Sequence, residues 1–553
     1  MSASAFPLRR KLAYAAILSV GTLALLLGGL ELGLRLAGYG HSPHFFRQAQ
    51  TTAGESVWRE NRNALAPFFP PGLVRRPLPV RLAAKKAPET VRIFVLGSSA
   101  AMGDPEPAFS LARMLELQLR HRHPGLRFEV VNAAVTAINS HLVRGIAADC
   151  AGLEPDLFIV YEGHNEVIGP FGPAGVLAPF LRSESAIRAT VWLKGTRTGQ
   201  WLSTLGSRGQ PADWGGMEMF LRQQIAVDDP RLDAVRAHFR ANLLAIAASA
   251  RRAGAATLFC TVVTNQRDFA PFLSAGGEAE QVYQQARLAL EAGRDAEARG
   301  LFQRALDLDL LRFRTDSALN QVIRDLGSAT APELTVVDVA AALAARSPHG
   351  ITGNEFLYEH VHLNLRGTYE AATALLPAIA DELQRRGLVN AAASPSPLSL
   401  EETGQRLGYN THEQAMIALE LSRRFSKPPF TGQSDHAARA ATSQRRAAAA
   451  QALLARADAT EALRQLSHRA LEASPGDWLL ARNTGAMLVA RQQPAEALPL
   501  LERAAAWIDD DVDTLVALGW AHHALGHTAE AAAAFAKARA LEPGYPNLPK
   551  LQE

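Results

Sequence analysis

The sequence has little of what marks several common classes of protein. Its 553 residues include only two cysteines, Cys150 and Cys260, too few for a disulfide scaffold or a cysteine-based zinc site, and the sequence leaves open whether they pair. The 57 basic side chains are balanced by 54 acidic ones. The sequence shows no basic patch of the kind that binds nucleic acid, so no nucleic-acid partner is expected. The length exceeds what one hydrophobic core supports, so several structural units are expected.

Long apolar runs are also scarce, and the clearest one lies near the amino terminus. Residues 12–30 carry no charge, and at about 1.5 Å per residue they span roughly 28 Å, close to the thickness of a bilayer core. Arg9, Arg10 and Lys11 precede this run, which predicts a cytoplasmic start and an extracytoplasmic remainder.

A cleaved signal peptide is the alternative to a membrane anchor. Its apolar region would be shorter and would end at a small-x-small cleavage site, which is missing near residues 36–38. We therefore predict a single-pass signal anchor over residues 1–38 in the inner (cytoplasmic) membrane, with later domains on the periplasmic side. A proline-containing juxtamembrane connector is predicted over residues 39–90.

An apolar strand that ends in a serine turn organises the next part of the chain. Residues 91–96 are mostly apolar, Gly97-Ser98-Ser99 follows, and an amphipathic helical pattern comes after the turn. Further apolar runs alternate with helical segments; they cover residues 128–132, 156–162, 256–263 and 334–338. This alternation predicts an α/β fold with a parallel sheet between layers of helices.

Polar residues follow the predicted strands at points that a parallel sheet brings to one edge. They are a serine, amides and a late carboxylate–histidine pair, namely Ser99, Asn132, Gly163-His164-Asn165 and Glu359-x-x-His362. Acyl transfer requires a nucleophile, a base oriented by a carboxylate, and donors for an oxyanion. The set therefore indicates acyl-transfer chemistry.

In this order the four blocks resemble those of the SGNH (GDSL-type) hydrolase family over residues 91–388. The resemblance implies a three-layer α/β/α, flavodoxin-like domain that cleaves acyl esters without a cofactor or a metal. It implies a catalytic role for Ser99 as nucleophile, His362 as base and Glu359 as orienting carboxylate. The implied oxyanion hole is formed by Ser99, Ala137 and Asn165, and the implied substrate-binding residues are Gly163 and His164.

Three positions depart from the family pattern. Ser98 stands where the family has aspartate, Ala137 where it has glycine, and Glu359 where it has aspartate. The backbone N–H of Ala137 can still serve as a donor if its φ is negative. Glutamate occupies the orienting position in some other serine hydrolases.

Other interpretations of these motifs are weaker. His360 and His362 resemble a metal-binding pair, but no third ligand is evident. Residues 97–103 resemble a phosphate-binding loop that lacks the Lys-Ser/Thr pair. His164 and His360 are expected to line or support the site rather than to catalyse.

The last part of the chain has a different periodicity. Gly485 and Gly519 are 34 residues apart, as are Ala497 and Ala531 and also Ala504 and Ala538. These residues resemble the tetratricopeptide (TPR) repeat consensus, which implies an all-α TPR domain over residues 445–553. A similar hairpin is predicted within the hydrolase over residues 281–309, and a linker with a helical connector over residues 389–444.

Two functions remain open from the sequence. The first is a membrane-anchored serine esterase, or an acyltransferase, that acts on acyl esters of a polysaccharide, lipid or protein and recruits a protein partner through its repeats. The second is a scaffold with the same fold and little or no turnover. In the first case, a fragment that ends near Gly387 is expected to fold and to cleave small esters.

Overall fold

The computed structural model describes residues 8–51, 54–175, 181–205, 216–327, 334–389, 395–545 and 548–549. The first residues of the predicted cytoplasmic start, 1–7, lie outside the described residues, and so does part of the predicted linker, 390–394. The strands are β1 Phe46–Gln50, β2 Ser56–Glu60, β3 Arg81–Ala83, β4 Thr90–Gly97, β5 Arg127–Asn132, β6 Leu157–Tyr161, β7 Ala256–Cys260 and β8 Leu334–Val337.

The helices follow the predicted alternation and then dominate the rest of the chain. They are α1 Leu8–Leu36, α2 Ser99–Met102, α3 Leu111–Arg122, α4 Ser140–Cys150, α5 Glu184–Gly195, α6 Arg197–Leu205, α7 Arg231–Arg252, α8 Glu278–Glu291, α9 Asp295–Asp307, α10 Ser317–Leu326, α11 Val339–Arg346, α12 Leu365–Arg385, α13 Leu400–Leu407, α14 Thr411–Phe425, α15 His436–Leu454, α16 Ala459–Ala473, α17 Trp478–Ala490, α18 Pro494–Trp507, α19 Val512–Ala524 and α20 Thr528–Leu541.

The central sheet is parallel, as the sequence predicts. Within the described residues its strand order is β5-β4-β6-β7-β8. Since β5 and β6 flank β4 on opposite sides, right-handed crossovers place α3 and α4 on opposite faces of the sheet. Every residue of β4 and of β6 is buried, as expected for strands covered on both faces. The order is the flavodoxin-like one, which places ligands at the carboxyl ends of β4 and β6.

The segment predicted as a juxtamembrane connector contains a small antiparallel sheet of β1, β2 and β3. Sequence patterning does not indicate it because β1 is largely polar and β3 has only three residues. Phe45, Phe46 and Leu65 from this segment are buried in the same hydrophobic core as β4. The connector is thus packed onto the α/β domain.

A helical hairpin of α8 and α9 occupies the predicted insertion between β7 and β8. The hydrophobic core also extends beyond the predicted end of the domain at residue 388, since Leu421, Phe425 and Phe430 belong to it. Gln118 on α3 contributes to the same junction, because its amide donates to the Thr403 hydroxyl at 2.9 Å. Helices α13 and α14 are therefore part of the α/β domain.

The final helices repeat with the predicted period. Helices α17 and α19 begin and end 34 residues apart, and so do α18 and α20. Gly485 and Gly519 occupy equivalent places, where an added Cβ would lie 2.6 Å from Leu501 and from Phe535 respectively. Ion pairs join these hairpins to the rest of the protein, for example Arg113 with Asp477 at 2.6 Å and Arg76 with Glu542 at 2.9 Å.

Helix α1 projects from the protein. Its segment Leu12–Leu36 contains a window with a mean hydropathy of 1.9 in which no residue is buried, so it is long and apolar enough to cross a membrane. Cys150 and Cys260 are both buried in the α/β domain, do not pair with each other, and have thiol pKa values that burial raises.

Candidate active site

The serine turn lies at the carboxyl end of β4, where the polypeptide comes very close to β6. A Cβ on Gly97 would lie 2.1 Å from the Tyr161 carbonyl oxygen, so only glycine fits there. The next residue, Ser98, is buried, and Ser99 is the half-buried first residue of α2. The chain thus presents Ser99, rather than Ser98, at the surface of this edge.

A tight loop before α12 carries the predicted carboxylate and histidine. Leu357 and Leu363 pair as an isolated antiparallel bridge, and the Tyr358 N–H donates to the His362 carbonyl at 2.9 Å. Asn364 then caps α12, since its side chain accepts from the Gly367 N–H at 2.9 Å. These contacts hold Glu359 and His362 on the same side of the loop.

The structure brings Ser99, His362 and Glu359 together. The Ser99 Oγ lies 2.9 Å from His362 Nε2, and Nδ1 of the same ring contacts Glu359 Oε1. With Nδ1–H donated to the carboxylate, Nε2 is left to accept the hydrogen bond from the serine hydroxyl. Residues 263 positions apart thus form the relay that acyl transfer requires.

Electrostatics favour an ionised carboxylate beside a basic histidine. Burial opposes the charge on Glu359, but His360 and His362 outweigh this effect and hold the pKa of Glu359 well below its usual value. Burial likewise disfavours the His362 imidazolium, yet the Glu359 and Asp104 carboxylates raise the pKa of His362 above its usual value. The site is therefore arranged to stabilise a proton on His362.

His360 supports Glu359 from the opposite side. Its ring contacts Glu359 Oε2 and is surrounded by four phenylalanines, with ring centroids 5.2–6.2 Å away: Phe269, Phe272, Phe313 and Phe430. Burial in this apolar cage lowers the pKa of His360, although the Glu359 carboxylate acts in the opposite direction. The Val361 N–H donates to the same carboxylate oxygen at 3.1 Å, so Glu359 is fixed by three groups.

The predicted oxyanion donors lie on neighbouring loops. The Asn165 amide donates to the Ile138 carbonyl at 2.9 Å, which places it beside the Ala137 peptide. The Val135 N–H donates to the Gly97 carbonyl at 3.2 Å and ties this loop to the serine turn. Within the part of the chain that is described, the backbone N–H groups of Ser99 and Ala137 have no acceptor. Their role as oxyanion donors stays a prediction.

The condition of a negative φ, under which the Ala137 N–H was expected to serve as a donor, is not met. The φ of Ala137 is +57°, in the left-handed region. This conformation turns the chain between β5 and α4, and a Cβ there costs on the order of 1 kcal/mol or more. Glycine adopts it freely, so the alanine adds strain to the loop without removing its N–H.

The buried Ser98 side chain contacts the carboxyl group of Glu162, which follows β6 directly. Glu162 also accepts from the Gly163 N–H at 3.1 Å. Burial raises the pKa of Glu162 and of the neighbouring Glu166, and the proximity of the two carboxyl groups adds to the effect on Glu162. Glutamates are common after strands, so the sequence gives no reason to assign Glu162 or Glu166 to the site.

The predicted substrate-binding residues, Gly163 and His164, both lie close to Thr315. His164 is buried, its Nδ1 lies 2.9 Å from the Thr315 hydroxyl, and burial lowers its pKa to about 3. A Cβ on Gly163 would lie 3.2 Å from the same hydroxyl. Asn132 donates to the Met102 carbonyl at 3.0 Å and so braces α2. Contact of Gly163 and His164 with a substrate stays a prediction.

Asp104 and Arg424, which the sequence does not single out, place two further charges beside His362. The Oδ2 atom of Asp104 lies 3.5 Å from His362 Nε2, and Arg424 on α14 forms two hydrogen bonds with the same carboxylate. His362 and Arg424 together keep the pKa of Asp104 low despite its burial. Asp104 follows Ser99 by only five residues, so its place in the serine turn is a signal that the sequence contains. No neighbouring residue in the sequence distinguishes Arg424 from other arginines.

A cavity of about 760 Å³ opens beside Glu359, between the inserted hairpin and helices α14 and α15. Its lining includes Glu359, Phe269 and Tyr358 but not Ser99 or His362. The cavity therefore adjoins the carboxylate side of the site rather than the nucleophile.

No protein family and no curated protein matches this sequence. Solved structures to which the chain is similar include an acetyl xylan esterase, AlAXEase, with 13% sequence identity and a TM-score of 0.27 over 52% of this chain and 100% of that one. Another is a GDSL-like lipase from Bacteroides thetaiotaomicron VPI-5482, with 11% identity and a TM-score of 0.27 over 54% of this chain and 92% of that one. Similarity at this level carries no argument about chemistry, which must be argued from the geometry of the site alone.

Proposed function

We propose that this protein is a membrane-anchored serine esterase of the SGNH type, which cleaves acyl esters and recruits a protein partner through C-terminal TPR repeats. The observation that carries the proposal is the 2.9 Å contact between Ser99 Oγ and His362 Nε2, with Glu359 on the other ring nitrogen. The polysaccharide, lipid or protein that bears the ester, and water or an alcohol as acyl acceptor, are equally compatible with this geometry.

In the proposed mechanism, the Ser99 oxygen attacks the ester carbonyl while His362 Nε2 takes the hydroxyl proton. The ester C–O bond then breaks, and His362 returns the proton to the leaving alcohol. Water repeats the sequence on the acyl-enzyme, which releases the acid and restores Ser99. Glu359 holds the ring and stabilises the imidazolium at each step.

The oxyanion of both tetrahedral intermediates is placed between the backbone N–H groups of Ser99 and Ala137 and the side-chain amide of Asn165. One hydrogen of that amide is given to Ile138, which leaves the other for the substrate. A single donor of this kind contributes about 3–4 kcal/mol to transition-state stabilisation in serine hydrolases. Asn165 is thus expected to act on kcat more than on KM.

The anchor and the repeats complete the proposal. Helix α1 has the length and hydropathy of a membrane span, and the basic residues before it favour a periplasmic location for the domains that follow. The hairpins α17–α18 and α19–α20 stack with a 34-residue period, an arrangement that offers an extended surface to a peptide or protein. None of the triad residues lies in these hairpins.

Hydrolysis of a chromogenic acetate ester tests the proposal. We expect activity in the purified full-length protein, and a loss of about 10³-fold or more in Ser99→Ala. Ser98→Ala is the matched control, since it removes the adjacent hydroxyl from a buried position and is expected to retain most of the rate. A fluorophosphonate probe should label the wild type and Ser98→Ala but not Ser99→Ala.

Absence of both hydrolysis and labelling in a folded protein would contradict the esterase and favour the scaffold. Loss of activity in Ser98→Ala with retention in Ser99→Ala would move the nucleophile by one residue. Protease added to spheroplasts tests the topology, because a periplasmic C-terminal domain should be digested without lysis.

A further inference from the structure

The apolar helix α1 is hydrogen-bonded to helix α6 near its carboxyl end. The Glu31 carboxylate accepts from the backbone N–H groups of Arg197 and Thr198 at 3.1 and 2.8 Å, and from the Thr198 hydroxyl at 3.0 Å. These N–H groups belong to the first turn of α6, where a negative charge also complements the helix dipole. Glu31 thus caps α6 from within α1.

The chain that follows α1 is held to the domain at once. The His41 N–H donates to the Gln200 side-chain oxygen at 2.8 Å, and the Gln200 amide donates back to the His41 carbonyl at 2.9 Å. A few residues later, the Phe45 N–H donates to Asp149 on α4 at 2.6 Å. Hydrogen bonds therefore join the protein to α1 before its last turn and to the segment directly after it. No long unattached linker separates α1 from the domain.

Helices α5 and α6 expose apolar side chains close to this junction. Trp192 and Leu193 on α5 are 71% and 43% exposed, and Trp201 and Leu202 on α6 are 38% and 44% exposed. The opposite side of α5 packs inward through Ile187, which is buried in the core. Four large apolar side chains therefore face outward on a hairpin whose inner side is already satisfied, an arrangement that marks an interaction surface.

The length of the apolar run fixes the level of this hairpin relative to a bilayer. Residues 12–30 fill roughly 28 Å, close to the hydrocarbon thickness, so Glu31 falls at the boundary with the headgroups. Since Glu31 binds the first turn of α6, that turn lies at the same level. Tryptophan is the residue that prefers this zone, with its ring among the acyl-chain ends and its N–H toward the headgroups.

We propose that the α5–α6 hairpin is a membrane-docking surface, with Trp192, Leu193, Trp201 and Leu202 in the interfacial layer of the bilayer that α1 crosses. The occupant of the surface is the lipid itself. This inference rests on the anchoring part of the proposed function and adds that the catalytic domain sits on the membrane instead of moving above it. Esters at or near the membrane surface are then the substrates in closest reach.

Quenching of tryptophan fluorescence by brominated lipid tests the inference. The full-length protein is reconstituted in vesicles of phosphatidylcholine and phosphatidylglycerol, with or without bromine at carbons 6 and 7 of the acyl chains. We expect bromine-dependent quenching in the wild type and a loss of at least half of it in Trp192→Phe/Trp201→Phe. Trp520→Phe is the matched control, because Trp520 is 37% exposed on α19 and should leave the quenching unchanged.

Flotation of each sample separates the two proposals. Protein that fails to float with the vesicles would overturn the anchor itself. Protein that floats, but shows equal bromine-dependent quenching in the wild type and the double variant, would overturn docking while the anchor stands. Shielding of the two tryptophans from aqueous acrylamide without bromine quenching would assign the surface to a protein partner and would also overturn docking.

Discussion

Arg424 and Asp104, 320 residues apart in the chain, form an ion pair with two hydrogen bonds at the edge of the candidate site. The Asp104 carboxylate in turn lies 3.5 Å from His362 Nε2, the atom that receives the serine proton in the proposed mechanism. Asp104 thereby connects the positive charge of Arg424, on α14, to His362. The protonation of His362 is expected to respond to both members of the pair, in opposite directions.

Removing the Asp104 charge should lower the pKa of His362. The carboxylate favours the imidazolium, so Asp104→Asn removes one of the two charges that raise this pKa above its usual value. Because the base works in its neutral form, the acidic limb of the kcat/KM profile should move to lower pH. Hydrolysis of the acetate ester across a pH series measures the midpoint. Asp268→Asn, which removes a carboxylate paired with Arg267 instead, is the control and should leave the midpoint in place.

Removing the Arg424 charge should have the opposite effect. The guanidinium lowers the pKa of His362, so Arg424→Gln is expected to move the acidic limb to higher pH. The midpoints of the acidic limbs of Asp104→Asn and Arg424→Gln can be compared even if both variants lose activity. A midpoint depends on the shape of the kcat/KM profile and not on its height. A shift of both variants in the same direction would contradict the linkage.

Glu359→Gln should cost less activity than His362→Ala. The amide keeps the side-chain volume beside His360 and His362 but loses the charge that stabilises the imidazolium. In another serine hydrolase, removal of the orienting carboxylate costs roughly 10²-fold less than removal of the histidine. Measured kcat values of the two variants decide the point, and equal losses would show that the carboxylate and the base act as one unit.

Ala137→Gly should raise the stability of the protein or leave it unchanged. Glycine relieves the positive φ, worth on the order of 1 kcal/mol or more, against a similar entropic cost of about 0.5–1 kcal/mol in the unfolded chain. Ala134→Gly is the control, because Ala134 is buried and its φ is not positive, and this variant should lower the melting temperature. A fall in melting temperature for Ala137→Gly equal to that of the control would contradict the strain argument.

The extended core reverses the expectation drawn from the sequence: a fragment that ends at Gly387 should fail to fold or should lose ester hydrolysis. It lacks Phe430, which packs on His360, and Arg424, which holds Asp104. A fragment that ends at residue 456 keeps both residues and removes helices α16 to α20, so it should cleave small esters at close to the full-length rate. Circular dichroism and acetate hydrolysis on both fragments measure the outcome, and full activity in the shorter one would contradict the extended core.

The sequence predicted the elements whose signals are local. Ser99 was found because it follows an apolar strand, and His362 because a carboxylate stands three residues before it at a helix start. Parallel-sheet topology then predicted that these points meet at one edge. The structure brings them within hydrogen-bonding distance, as this logic requires.

The remaining features depend on contacts between distant parts of the chain. Arg424 lies in a helix with an ordinary charge pattern, and only the tertiary fold places it against Asp104. The core around Phe430 combines residues from segments that are far apart in the sequence. Local composition does not show such contacts, and it therefore predicts a domain boundary near residue 388, where the packing in fact continues. The backbone angle of Ala137 is set by the turn between β5 and α4, which the identity of the residue itself disfavours.

The order of the site residues along the chain has a consequence for the proposed esterase while it is being synthesised. A polypeptide synthesised from its amino terminus presents the predicted anchor first, then Ser99, and only 263 residues later His362. The phenylalanine cage is closed later still, when Phe430 arrives. In the proposed esterase, the growing chain therefore carries the nucleophile without its base, and ester cleavage can begin only after most of the polypeptide has been made.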